Sequence, residues 1–129
     1  CYMHGPAYGS GKAAVDKMAH DMAVDFKPFD VAVVSLWMGL LKTEVNLAAF
    51  AANPAMYEGL AATAESVEFP GRVIDALSRD PQRMAKSGRV LVGAELAEEY
   101  GITDVDGKQP PSHRPFLGDP PTFSDAVVQ

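Results

Sequence analysis

A tyrosine and a lysine stand four positions apart near the start of the chain, at Tyr8 and Lys12. If this stretch is helical, the two side chains lie on one face, one turn apart. An ammonium group at that distance favours the ionised form of a phenol. Such a phenol can donate a proton to a carbonyl oxygen or accept one from an alcohol. The spacing therefore predicts an acid–base pair, and the start of an amphipathic helix with an exposed lysine is the alternative.

A helix over residues 8–26 would position this pair. Its apolar side chains recur at steps of three and four, as in a helix with one buried face; they are Val15, Met18, Ala19, Met22 and Phe26. Pro28 ends the helix, and a continuous, largely β-branched run follows at 31–36. Such a run predicts a strand that is buried on both faces, as in a parallel sheet.

Beyond this strand, the chain alternates short helices with a second apolar strand. Thr43 and Glu44 predict a helix start, and the alanine-rich region 43–64 is expected to hold two short helices. A helix at 70–79 and a strand at 89–92 follow. Strands that alternate with helices predict an α/β fold. A parallel sheet of only two strands cannot cover both faces of strands that are this apolar. The pattern therefore predicts part of a larger doubly wound, Rossmann-type parallel-sheet domain.

The composition narrows the class of protein. The 129 residues include 11 Lys and Arg against 17 Asp and Glu, a formal net charge of −6. This acidic balance argues against a nucleic-acid-binding surface or a polybasic membrane patch. No apolar run reaches membrane-spanning length, and no signal-peptide pattern begins the chain. The single cysteine, Cys1, excludes an internal disulfide and a cysteine-built zinc site, so a cytoplasmic location is predicted.

The histidines and prolines add two further expectations. His4, His20 and His113 lack the spacing of metal ligands, so the sequence predicts solvated imidazoles and no metal site. Five of the ten prolines fall within the last 20 residues. The region 108–129 is therefore predicted to be an extended tail with little secondary structure.

The stretch from Tyr8 to Glu44 resembles the catalytic helix and following strand of the short-chain dehydrogenase/reductase family. Tyr8 and Lys12 match its Tyr-x-x-x-Lys motif. A second set of residues matches the Pro-Gly-x-x-x-Thr loop of the family: Gly39, Leu40, Leu41 and Thr43. The resemblance covers nearly all of residues 2–107, with several weak motifs in the family's order.

The resemblance implies hydride transfer between the nicotinamide of NAD or NADP and a carbonyl or alcohol carbon. Tyr8 would be the general acid in reduction and the general base in oxidation. Lys12 would favour the phenolate and hold the nicotinamide ribose hydroxyls. Gly39, Leu41 and Thr43 would lie beside the nicotinamide, the carboxamide and the phosphate. The resemblance does not choose between NAD and NADP.

The resemblance also bears on the substrate and the partners. The region 43–64 would contribute to a substrate lid, and Trp37 and Met38 would favour a hydrophobic carbonyl or alcohol. His4 lies four residues before Tyr8 and is a weaker candidate for substrate contact. Met38 stands where the family usually has proline, which leaves the loop less pre-organised. By analogy with the family, a homo-oligomer is expected.

The family features that precede the tyrosine have no counterpart here. They are the catalytic serine and the Gly-rich phosphate turn. Residues 1–107 are therefore predicted to be the C-terminal portion of such a domain without its N-terminal nucleotide-binding half, and to be inactive alone. A non-enzymatic remnant or oligomerisation module of the same fold is the alternative. An epimerase- or dehydratase-like relative that uses the same Tyr/Lys pair is a third hypothesis.

Overall fold

A computed structural model describes residues 4–128 of the chain. Cys1, on which the predictions about disulfides and zinc depend, lies outside the described residues. The helices are α1 (Gly5–Phe26), α2 (Glu44–Ala52), α3 (Pro54–Thr63), α4 (Phe69–Arg79), α5 (Gly93–Tyr100) and α6 (Arg114–Leu117). The strands are β1 (Ser35–Trp37) and β2 (Val90–Val92), and single 3-10 turns occupy Lys27–Phe29 and Arg83–Lys86.

The described residues form two compact units. The first unit comprises residues 4–36, 80–91 and 114–128, and the second comprises residues 37–79 and 92–113. This division by packing is separate from the predicted boundary after residue 107, which concerns family membership and stays a prediction.

Helix α1 dominates the first unit. It begins at Gly5, before the predicted residue 8, and Pro6 occupies its first turn, where a missing N–H costs nothing. Its buried positions are Asp16, Ala19 and Ala23. Ser35 at the start of β1 donates a hydrogen bond from Oγ to Asp16 Oδ1 at 2.6 Å, and both residues are buried. A polar pair therefore ties the helix to the strand.

The predicted apolar face of α1 is largely exposed within the described chain. Of its members only Ala19 is buried, whereas Val15, Met18 and Met22 are exposed. The prediction of one buried apolar stripe is wrong for these residues. The small side chains of Ala19 and Ala23 are buried instead, together with Asp16, which is hydrogen-bonded to Ser35.

The two strands form a small parallel sheet. The predicted strand at 31–36 is reduced to Ser35–Trp37, because a strand needs a neighbouring strand along its length. Val33 instead contacts a turn: its N–H donates to Ser87 Oγ at 3.0 Å, and its carbonyl accepts from the Gly88 N–H at 2.7 Å. The predicted burial on both faces does not hold either, since Val31 is 46% exposed.

The second unit has its core between α4 and α5. The predicted helix at 70–79 begins one residue earlier, at Phe69. Phe69, Val73 and Ala97 are almost fully buried there. Thr43 caps α2, because its Oγ1 accepts a hydrogen bond from the Asn46 N–H at 3.3 Å. Helices α2 and α3 follow each other through the alanine-rich region, as its composition predicted.

The proline-rich region is mostly irregular, with one short helix, α6. In the first unit its end lies against α1. His20 of α1 is hydrogen-bonded through Nε2 to the Ser124 carbonyl at 3.1 Å, and its ring lies 5.1 Å from that of Phe123. Among residues 4–128, no helix is long and apolar enough to cross a bilayer.

Asp104 anchors the start of α4. Its Oδ2 accepts a hydrogen bond from the Ser66 N–H at 2.8 Å, and its Oδ1 accepts from the Ser66 hydroxyl and from the Val105 N–H. Ser66 Oγ in turn accepts from the Phe69 N–H at 3.1 Å. Burial alone raises the pKa of Asp104, but the donated hydrogen bonds outweigh burial and lower the pKa below its usual value.

We expect Asp104→Asn to reduce the free energy of unfolding at neutral pH by about 1–3 kcal/mol, because an amide cannot accept all three hydrogen bonds. Since folding lowers the pKa of Asp104, its stabilising effect is complete above the ordinary value of 3.8 and is lost as pH falls below it. Urea unfolding at pH 7 and at pH 3 measures the difference. Asp75→Asn, at an exposed residue of α4, is the control. A difference that is the same at both pH values would contradict this account.

Candidate functional site

Three predicted site residues form one row at the start of α1. The Lys12 Nζ lies 5.4 Å from the centre of the Tyr8 ring. The His4 ring meets the Tyr8 ring edge-on, with centroids 5.1 Å apart. Tyr8 is 45% exposed. The structure therefore places an accessible phenol between an imidazole and an ammonium group, as the four-residue spacing predicted.

The second set of predicted residues lies in the loop between β1 and α2, in the second unit. Trp37 ends β1, and Met38 is exposed. The Leu41 carbonyl accepts hydrogen bonds from Asn46 Nδ2 and from the Thr43 N–H, both at 2.8 Å. That carbonyl is therefore occupied by the protein itself.

The Thr43 hydroxyl uses its acceptor capacity within the protein. Its Oγ1 accepts a hydrogen bond from the Asn46 N–H. Since a hydroxyl both accepts and donates, the Thr43 O–H can still donate to an acceptor such as a phosphate oxygen.

Glu65 contacts this loop, a placement that the sequence pattern did not predict. It is 1% exposed and pairs with Leu41 in a parallel bridge. Its N–H donates to the Leu40 carbonyl, and its own carbonyl accepts from the Lys42 N–H, each at 2.8 Å. Its carboxylate Oε2 accepts from the Gly39 N–H at 3.0 Å. Three groups of one residue thus hold the loop. The sequence signal was a lone acidic residue after an alanine-rich helix.

His113 lies beside this carboxylate. Its Nε2 is 4.0 Å from Glu65 Oε1, too far for a hydrogen bond. Within residues 4–128 neither atom has a hydrogen-bond partner, and both atoms are buried. The prediction of a solvated imidazole is wrong for His113, whose side chain is only 23% exposed. The chain segment after α5 brings it to the loop, which spacing alone does not reveal.

Burial dominates the electrostatics of this pair. It raises the pKa of Glu65; the Gly39 hydrogen bond opposes that shift, and the charge of Asp104 adds to it. Burial also lowers the pKa of His113. Both shifts favour the neutral forms. We refer to Gly39, Glu65 and His113 together as the loop clamp.

Gly39 is the point of closest approach in the loop clamp. A Cβ at this position would lie 2.2 Å from His113 Nε2 and 2.4 Å from Glu65 Oε1. Only glycine leaves room for both side chains, so the glycine of the predicted loop motif has a structural reason here.

The first unit also has a cleft that lies apart from these residues. A cleft of about 1070 Å³ in the first unit lies between α1, the turn before β2 and the end of the chain, and none of the predicted site residues lines it. Across the described range 4–128, no group of three or more His, Cys, Asp or Glu side chains is arranged to hold a metal ion.

Comparison with known proteins gives the family. The chain is 37% identical over 114 residues to Dehydrogenase/reductase SDR family member 1 of Homo sapiens, an alignment that covers 83% of this chain. The chain belongs to the short-chain dehydrogenase/reductase family. The protein of the same name from Mus musculus matches with the same identity and coverage. No family model matches the chain.

These matches confirm the predicted family, and both relatives carry the name of the same family member. The chain spans 36% of the length of each of these relatives. Its helices and small parallel sheet are compatible with part of the Rossmann-type fold that the resemblance implied.

Proposed function

We propose that this chain carries the acid–base pair of an NAD(P)-dependent oxidoreductase that acts on a carbonyl or alcohol substrate. The observation that carries the proposal is the row of His4, Tyr8 and Lys12 on α1, in a member of the short-chain dehydrogenase/reductase family. The phenol of this row is open to solvent, so a substrate oxygen can reach it.

Tyr8 moves the proton in this proposal. In reduction, its phenol donates a proton to the substrate oxygen; in oxidation, the phenolate accepts one from the alcohol. Lys12 places its Nζ 5.4 Å from the centre of the Tyr8 ring and so brings a positive charge close to the phenol. The ring of His4 meets the Tyr8 ring edge-on, with centroids 5.1 Å apart.

Each unit by itself offers donors of the kind that the family uses at the nicotinamide end of a dinucleotide. Lys12 offers an ammonium group to ribose hydroxyls, and the Thr43 hydroxyl retains a proton for a phosphate or carboxamide oxygen. The space beside the Gly39 Cα is filled by the His113 and Glu65 side chains, which fix the shape of this loop. When bound, the nicotinamide supplies the hydride or accepts it.

The apolar residues at the loop favour an apolar substrate. Met38 is exposed, and Leu40 and Leu41 follow it in the sequence. A hydrophobic ketone, aldehyde or secondary alcohol is the substrate class that these side chains would accept, and the region 43–64 would cover it as a lid.

An oligomerisation module is the second candidate function. Exposed apolar side chains of α1, including Val15, Met18 and Met22, favour it. A second copy of the chain packed on this helix would bury them, as in a homo-oligomer.

Turnover separates the two candidates. The protein to assay is the longest natural chain that contains these 129 residues, with NADH or NADPH and a panel of apolar ketones and aldehydes. We expect oxidation of the reduced nicotinamide, followed by its absorbance. If neither NADH nor NADPH binds in isothermal titration and the protein is a stable dimer in solution, the proposed oxidoreductase activity is wrong. That outcome favours the oligomerisation module.

A further inference from the structure

We propose that Glu65 is a positioning residue, which holds the Gly39–Thr43 loop in the conformation that receives the dinucleotide. This inference rests on the proposed function, because it assigns to that loop the nicotinamide end of the cofactor. Glu65 touches neither the substrate nor the cofactor, and it acts through the loop backbone.

The contacts of Glu65 reach three residues of one short segment. Its N–H and C=O pair with Leu40 and Lys42, as in a parallel sheet, and its carboxylate accepts the Gly39 N–H. The backbone contacts are open to any residue type at position 65. The side-chain contact needs an acceptor at the length of a glutamate. It fixes the direction of the Gly39 N–H, which the backbone bridge leaves free.

Glu65 is almost fully buried, so its side chain carries a cost that its contacts must offset. A carboxylate loses its hydration energy when it is buried. One or two neutral hydrogen-bond donors do not fully replace that energy. Here Oε2 has the Gly39 N–H, and Oε1 faces His113 Nε2 across 4.0 Å without a hydrogen bond. The hydrogen bond from the Gly39 N–H is therefore the contact that offsets part of the cost of burying this carboxyl group.

The loop itself supplies little rigidity at this point. Met38 precedes Gly39, so no proline ring restricts the backbone there. Gly39 has the widest conformational freedom of any residue. The hydrogen bond to the Glu65 side chain restricts the orientation of the Gly39 N–H. The His113 side chain restricts the loop on the Cα side of Gly39, because its Nε2 lies 2.2 Å from the position that a Cβ would take.

Two substitutions separate geometry from charge. Glu65→Gln keeps the length of the side chain and a carbonyl oxygen that accepts from the Gly39 N–H, but removes the charge. Glu65→Asp keeps the charge but is one methylene shorter, so its oxygens fall short of Gly39. Glu98→Ala, at an exposed glutamate of α5, is the control.

Amide hydrogen exchange tests the clamp directly. We expect the Gly39 amide to exchange about tenfold faster in Glu65→Asp than in the wild type, because its acceptor is lost. Glu65→Gln and Glu98→Ala should leave that rate within about threefold. This readout needs no turnover, so it stands even if the proposed function fails.

Kinetics of the longest natural chain then test the positioning role. We expect Glu65→Asp to raise KM for the dinucleotide about tenfold with kcat nearly unchanged, and Glu65→Gln to stay near the wild type. A higher KM in Glu65→Gln but not in Glu65→Asp would point to charge and overturn the inference. A loss of thermal stability in Glu65→Asp with unchanged exchange and KM would also overturn it. No turnover in the wild type contradicts the proposed function instead.

Discussion

Tyr8→Phe is expected to lower the rate of hydride transfer by about 10²- to 10⁴-fold, the range in which general acid–base catalysis contributes. The substitution removes only the phenol oxygen. The ring, its edge contact with His4 and the position of Lys12 over its face are all retained. Folding and dinucleotide affinity should therefore change little, and the loss should fall on kcat.

Steady-state turnover and isothermal titration of the same preparations measure this result. The matched control is Tyr100→Phe, which removes a hydroxyl from the last residue of α5. A Tyr8→Phe variant that keeps the wild-type kcat would remove Tyr8 from the mechanism. A variant that loses kcat and cofactor affinity together would assign Tyr8 to binding rather than to proton transfer.

Gly39→Ala is expected to reduce the free energy of unfolding by about 1–3 kcal/mol, the usual cost of forcing an extra methyl group into a packed site. The new Cβ would lie 2.2 Å from His113 Nε2 and 2.4 Å from Glu65 Oε1. Both atoms end side chains, but Glu65 is buried and held by the Gly39 N–H. It cannot move away without breaking that hydrogen bond.

Gly59→Ala is the matched control in the same unit. Gly59 lies within α3, and a Cβ there would meet no heavy atom within 4 Å. Because alanine is the better helix former, this variant should gain about 0.5–1 kcal/mol. Urea unfolding of both variants gives the comparison. Equal stability of Gly39→Ala and the wild type would show that the Glu65 and His113 side chains move aside at no cost in free energy.

Local sequence signals determined several helix boundaries and the spacing of Tyr8 and Lys12. The end of α1 near Pro28, the cap at Thr43 and the four-residue step from Tyr8 to Lys12 each depend on neighbours within a few positions. Such interactions are set by backbone geometry over one or two turns. The order of several weak motifs also sufficed to predict the family, which comparison with known proteins confirmed.

Only the tertiary structure decided which surfaces are buried and which polar groups meet. The run at 31–36 has strong β propensity, but it forms a strand only where β2 lies beside it. The pattern of α1 likewise does not tell which face meets the rest of the first unit, and Asp16 is buried there by its bond to Ser35. Propensity is local, whereas pairing and burial depend on distant segments.

The loop clamp illustrates the same limit at the site. Gly39, Glu65 and His113 are separated by tens of positions, and no periodicity or spacing connects them. The fold of the second unit brings them within hydrogen-bonding or van der Waals reach. The sequence by itself determined the Tyr8/Lys12 pair, since one helix carries both residues. Tertiary packing alone decided what holds the loop, since three separate segments must meet to form the clamp.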